Sequence, residues 1–155
     1  MLGLCKELNM KVKIKKLVNF KGELPAYQSR GSSGLDVRAQ LETPITVKPM
    51  ERVLVPTGLS FEVPEGFEIQ ARPRSGWAIK QGMTLLNTPG TIDADYRGEV
   101  KIIVINLSQE TVEIQDQERV AQLVVCPIIQ AELELVTDLG VTERGAGGFG
   151  STGRN

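Results

Sequence analysis

The 155 residues include no histidine. That removes the commonest acid–base side chain and the commonest transition-metal ligand. Any catalysis must rest on carboxylate, lysine, tyrosine, serine or a hard cation bound through oxygen. Cysteine is scarce: only Cys5 and Cys126 occur, far apart and at no zinc or redox spacing. Two buried free thiols are the expectation. Aromatic residues make up 5% of the chain. No apolar run approaches the roughly 18 residues of a membrane span, and MLGLCKELNM has neither the apolar core nor the cleavage site of a secretory signal. A cytoplasmic protein with no membrane partner is expected. Neither sign of charge is in excess. A net charge of −1 argues against a general nucleic-acid binder, which carries a basic surplus. A small anionic ligand needs only a local arginine cluster and stays allowed.

What the chain does have is alternation. With 41% hydrophobic residues it can build one core in one domain. Apolar residues recur with period two at Val12 and Ile14, from Leu35 through Val37 and Ala39 to Leu41, at Leu59, Phe61 and Val63, and at Phe67, Ile69 and Ala71. The pattern continues at Val100, Ile102 and Val104, at Val112 and Ile114, and at Leu133 and Leu135. Such segments are half-buried strands. Turn signals such as KGELP, KPMER, VPEG and NTPGT separate them. The fold class expected is all-β: a sandwich, jelly roll or closed barrel. One helical turn or two is expected at Gly76–Gln81. Residues 1–9 read as a loose extension, 10–137 as a single all-β domain, and 138–155 as a flexible glycine-rich tail.

Five stretches could carry chemistry. The tail RGAGGFGSTGRN, 144–155, holds one aromatic ring, Phe149, among glycines. GAGGFG fits a dinucleotide fingerprint in letters only, because no strand–turn–helix context exists for it. Its free backbone amides, Ser151, Thr152 and Arg144 could still surround an anion; a disordered tail is the plainer reading. ARPRSGWAIKQG, 71–82, places Arg74 before a Ser75-Gly76 helix start, whose free amides favour an anion, though a polar turn with a cap reads the same. NTPGTIDADYRGEVKI, 87–102, resembles a hairpin bearing Asp93 and Asp95, which share one face if extended. Such a pair could bind a cation or activate water, or Asp95 could pair with Arg97. In GSSGLDVRA, 31–39, Asp36 points out of a strand or into a cleft. In RVAQLVV, 119–125, Gln122 interrupts an apolar run and needs partners.

In this order, in an all-β chain of this length, the five stretches resemble the five motifs of the trimeric deoxyuridine triphosphatase (dUTPase) family. RPRSG, GTIDADYRGEV and RGAGGFGSTG match closely. The first motif departs at Leu35, where the family often has tyrosine. The resemblance implies a jelly-roll-like distorted β-barrel, assembled as a homotrimer with active sites at subunit interfaces. It implies Mg2+-assisted hydrolysis of dUTP to dUMP and pyrophosphate, which limits uracil incorporation into DNA and supplies dUMP for thymidylate synthesis. It further implies that Asp93 deprotonates a water aimed at the α-phosphorus, and that Tyr96 excludes a ribose 2′-hydroxyl. Asn87, Thr91, Ile92 and Lys101 would line the uracil, the 87–101 hairpin reading it largely through main-chain groups. Arg74, Ser75 and Gly76 would grip the α/β-phosphates with Gln122 nearby. Asp36 would meet magnesium through water. Phe149 would stack on uracil while Arg144, Gly150, Ser151 and Thr152 hold the distal phosphates, so the tail would act as a lid.

Two other classes stay open at this point. One is dCTP deamination on the same fold, for which a glutamate base and a different arginine-serine motif are expected. The other is a non-catalytic trimeric β-module that binds nucleotides.

Overall fold

The structure is a computed structural model and describes residues 10–148. Among these residues lie eleven strands and one helix. In chain order they are β1 (Lys13–Lys16), β2 (Leu35–Arg38), β3 (Ile45–Val47), β4 (Arg52–Pro56), β5 (Leu59–Glu62), β6 (Phe67–Arg72), α1 (Ser75–Gln81), β7 (Met83–Leu85), β8 (Gly90–Ile92), β9 (Lys101–Asn106), β10 (Val112–Ile114) and β11 (Arg119–Pro127). All pairings between them are antiparallel. The strands form a four-stranded sheet β2-β11-β6-β8, a three-stranded sheet β4-β9-β7, and the pairs β1-β5 and β3-β10. Together they wrap one core as an all-β, jelly-roll-like barrel.

Alternation in the sequence becomes inside and outside in the barrel. In β9, Ile102 and Val104 are buried, while Lys101 points to solvent. Central β11 is flanked by β2 and β6. Its Val120, Ala121, Leu123 and Val124 are all buried, which is why its sequence reads as a run rather than an alternation. Each fully buried aliphatic side chain contributes about 1.5–3 kcal/mol. Helix α1 is docked through Trp77, its one buried residue. It stops at Gly82, which has φ 65° and donates its N–H to the Ala78 carbonyl. A Cβ at Gly82 would sit 2.9 Å from the Ser108 nitrogen, so both conformation and space exclude a side chain there.

Three expectations are corrected. Leu133 and Leu135 form no strand; the last described strand ends at Pro127, and both leucines are solvent-exposed. Among the described residues their alternation meets no partner strand. Residues 87–102 are not a paired hairpin either. β8 pairs with β6, and β9 pairs with β4 and β7, so the segment crosses between two sheets. Its middle is a turn, with the Tyr96 N–H donating to the Asp93 carbonyl at 3.2 Å. Arg97 Nη1 spans that turn, donating to the carbonyls of Ala94 at 2.6 Å and Tyr96 at 3.0 Å. Thus Arg97 binds main chain and forms no ion pair with Asp95. Finally, Cys126 is only half-buried, with its sulfur 3.6 Å from Arg72 Nη2; Cys5 lies outside the described residues.

Candidate functional site

Asp36, Arg74 and Arg119 form a closed charge cluster. Asp36 stands on β2, Arg119 opens β11, and Arg74 follows Pro73 at the end of β6. Arg74 Nε donates to Asp36 Oδ1 at 3.1 Å, and Arg119 Nη1 donates to Asp36 Oδ2 at 3.0 Å. Arg74 Nη1 also donates to the Arg119 carbonyl at 3.2 Å. Strand register explains the meeting. Gln122 lies opposite Asp36 on one side and Arg72 on the other, so β2 and the end of β6 converge across β11. Two guanidiniums against one carboxylate leave the cluster one positive charge in excess, which suits an anion.

Gln122 is locked beside the cluster. Its Nε2 donates to the Pro73 carbonyl at 2.9 Å, and its side chain fills the space that a Cβ on Gly34 would need. Ser75 and Gly76 open α1, ahead of the first amides that find an acceptor in the helix. Among the described residues, its chain neighbours and the helix's own backbone aside, no atom comes within 4 Å of where a Gly76 Cβ would be. The missing side chain there leaves an open approach to the backbone.

The second group lines another depression. Thr91, Ile92, Asp93, Tyr96 and Lys101 surround an open cavity of about 460 Å³. Asp93 also edges a neighbouring groove of about 840 Å³, together with Glu62, Gly66 and Arg97, and so stands on the ridge between the two. Among the described residues the Asp93 side chain has no hydrogen-bond or ion-pair partner. Tyr96 is anchored through its hydroxyl, which donates to the Glu99 carbonyl at 3.0 Å. Lys101 Nζ lies 3.5 Å from Glu99. Asn87 is exposed and packs where a Gly90 Cβ would stand. At the rim, the Lys13 ammonium 2.7 Å from Glu62 holds that carboxyl below the usual carboxylate range.

The two groups do not meet within one chain. Asp36 is on one edge strand of the four-stranded sheet and Ile92 on the other, with β11 and β6 between them. At ordinary strand spacing those edges are about 14 Å apart. Arg144 is exposed, its Nε donating to the Gly147 carbonyl at 2.7 Å. Phe149, Gly150, Ser151 and Thr152 lie outside the described residues.

Sequence reasoning missed Arg119. A charge opening an apolar strand reads as a solvated end; its partner Asp36 is 83 positions away in the chain. Among the described residues no three acidic, histidine or cysteine side chains gather to cage a metal. Magnesium is usually held by one or two carboxylates plus substrate phosphates and water. Asp36 fits an outer role of that kind: both oxygens already accept from guanidinium, yet each keeps a lone pair for a metal-bound water.

The sequence profile of the dUTPase family matches residues 21–153. The chain is 73% identical over 143 residues to the deoxyuridine 5'-triphosphate nucleotidohydrolase of Bdellovibrio bacteriovorus, covering 92% of this chain and 96% of that protein. It is 55% identical over 144 residues to the enzyme of the same name from Fusobacterium nucleatum, covering 93% and 99%. Among solved structures, the Staphylococcus bacteriophage 80alpha dUTPase with dUPNHPP superposes with a TM-score of 0.82 at 26% identity, covering 93% of this chain and 99% of that one.

Proposed function

We infer the chemistry from one premise: the chain belongs to the dUTPase family. It is a hydrolase, a dUTP diphosphatase that converts dUTP to dUMP and pyrophosphate. The observation that carries this reading is the family match over residues 21–153, which takes in the first four sequence stretches and the tail as far as Gly153. Deamination of dCTP and a non-catalytic module have no comparable support.

The site residues work as follows in this proposal. Asp93, free of side-chain partners among the described residues, holds a water by its carboxylate. The water oxygen bonds to the α-phosphorus, the bond from that phosphorus to the bridging oxygen breaks, pyrophosphate leaves, and the water proton passes to Asp93. Such a base contributes about a hundred- to ten-thousand-fold, and the rest is positioning and charge stabilisation. Tyr96 covers the sugar and leaves no room for a 2′-hydroxyl. Asn87, Thr91, Ile92 and Lys101 line the uracil, and a mismatched base edge would leave buried groups unpaired. Arg74, Ser75, Gly76 and Gln122 hold the α/β-phosphates. Phe149 stacks on the base, with Arg144, Gly150, Ser151 and Thr152 on the distal phosphates. Mg2+, when bound to the triphosphate, supplies positive charge against the charge that develops at phosphorus; Asp36 would hold it through water.

A homotrimer with sites between subunits is part of the proposal. Two features support it. Asp36, bound to its two arginine partners, stands on one edge strand of the four-stranded sheet, and Thr91 and Ile92 stand on the opposite edge strand. A second copy of the chain could set the arginine cluster of one subunit against the Asp93 cavity of another. Past β11, Ile129, Leu133, Leu135, Leu139 and Val141 are each 86% exposed or more. An arm so rich in bare apolar side chains gains about 25 cal/mol for every Å² it buries on a neighbour. Residues 10–137 then form the domain in its assembled state, with 138–155 as the lid. Among the described residues no helix is long and apolar enough to cross a membrane.

The test is a product assay with dUTP, dCTP, dTTP and UTP side by side, with and without magnesium. Pyrophosphate and dUMP from dUTP alone, stimulated by magnesium, are expected. Ammonia from dCTP would move the reading to deamination, and no product from any nucleotide would leave the binding module.

A further inference from the structure

Tyr96 rests on Gly98. The backbone of Gly98 lies outside the positive-φ region that favours glycine. Space is what excludes a side chain. A Cβ there would stand 2.4 Å from Tyr96 Oη, 2.6 Å from Cζ and 3.0 Å from Cε2. All three atoms belong to the far end of a ring that is itself 46% exposed and borders the 460 Å³ cavity. The phenol is therefore folded back over the 96–99 segment. Gly98 is its floor, and the Glu99 carbonyl, 3.0 Å from the hydroxyl, is its tether. The tether is anchored in turn, because Glu99 Oε1 accepts the Gly58 N–H at 2.8 Å.

We propose that Gly98 is a specificity-determining positioning residue, whose missing side chain lets Tyr96 lie flat at the sugar end of the pocket. The proposal rests on the reading of Tyr96 given above. A methyl group on residue 98 lifts the ring by about 1 Å to restore ordinary contact distances. The ring, 46% exposed, yields by swinging out of the cavity, which makes room for a 2′-hydroxyl and lowers the preference for dUTP over UTP. Pushed inward it would crowd ribose at least as much as deoxyribose and keep that preference. The displaced group is an exposed side-chain end rather than core or main chain, so the fold is spared.

The experiment compares wild type, Gly98→Ala, Tyr96→Ala and the double variant, reading kcat/KM for dUTP and for UTP together with the melting temperature. Gly98→Ala is expected to lower the dUTP/UTP ratio by about tenfold or more while the melting temperature holds. In the Tyr96→Ala background it is expected to change nothing further, because its effect passes through the ring. The NMR shift of the Gly98 α-protons gives a reading apart from activity: the ring above them should move them upfield in wild type, and Tyr96→Ala should release them. A ratio that falls with Tyr96→Ala but not with Gly98→Ala overturns this inference alone. A ratio unmoved by both overturns it together with the role of Tyr96. An additive double variant assigns Gly98 a role independent of the ring and also overturns the proposal. A wild type that leaves dUTP intact removes the parent reading, and with it this one.

Discussion

Asp36 and Asp93 are the same side chain in opposite states. Asp36 is clamped: each carboxylate oxygen accepts from a different arginine, and the side chain is 18% exposed. Asp93 is bare, at the mouth of a cavity, with no side-chain partner among the described residues. A carboxylate that already accepts two guanidiniums stabilises a framework and offers only its spare lone pairs. One without protein partners is free to order a water and take its proton. In the proposed function this difference separates positioning from chemistry without any residue-type distinction.

The largest break in that contrast is Asp93→Asn. It keeps the shape and removes the base, so kcat should fall about a hundred- to ten-thousand-fold while nucleotide binding by calorimetry stays near wild type. Turnover within a few-fold of wild type would take the base role from Asp93. Next is deletion of 144–155, which should leave a folded chain with the wild-type melting temperature and lose up to about a hundredfold in kcat/KM, the value of one stacked base. Full activity would end the lid reading. A smaller effect is expected from Arg119→Gln. It frees Asp36 Oδ2 and loosens Arg74 without touching Asp93, so KM for dUTP should rise several-fold with kcat nearly held, and Arg119→Lys should restore part of it. A half-exposed pair of this kind is worth about 1 kcal/mol or less. A fall in kcat with unchanged KM would place Arg119 on the chemical side instead.

The smallest effect concerns Asp116, which receives the Leu41 N–H at 2.8 Å on the clamped side of the molecule. That hydrogen bond holds its carboxyl below the ordinary 3.8. The folded state therefore favours the charged form. Its contribution is fully present above the ordinary value and is lost as pH falls through the lower folded value. Asp116→Asn should leave less acid sensitivity in urea unfolding between neutral pH and pH values below the carboxylate range. Identical acid limbs would show that the group contributes nothing.

Several elements could be read from the sequence and others could not, for physical reasons. Strands long enough to alternate, such as β6 and β9, declare which face is inside. β3, β7 and β8 have three residues each, too few for a period to show. The 87–102 segment has hairpin punctuation, yet β8 and β9 find their partners in different sheets, because pairing is decided by which edges the rest of the chain leaves open. Leu133 and Leu135 alternate like a strand but meet no partner strand among the described residues. The close seats of Gln122 against Gly34 and of Tyr96 against Gly98 depend on ring and amide placement, which letters do not contain.

By itself the sequence determined an all-β chain, through alternation, and a chemistry without imidazole, through the absence of histidine. It also placed the residues that match the dUTPase motifs in their order along the chain. Only the tertiary structure decided which aspartate is bound and which is free. Ion pairing depends on a few ångströms between side chains 38 and 83 positions apart, and folding rather than local order sets those distances.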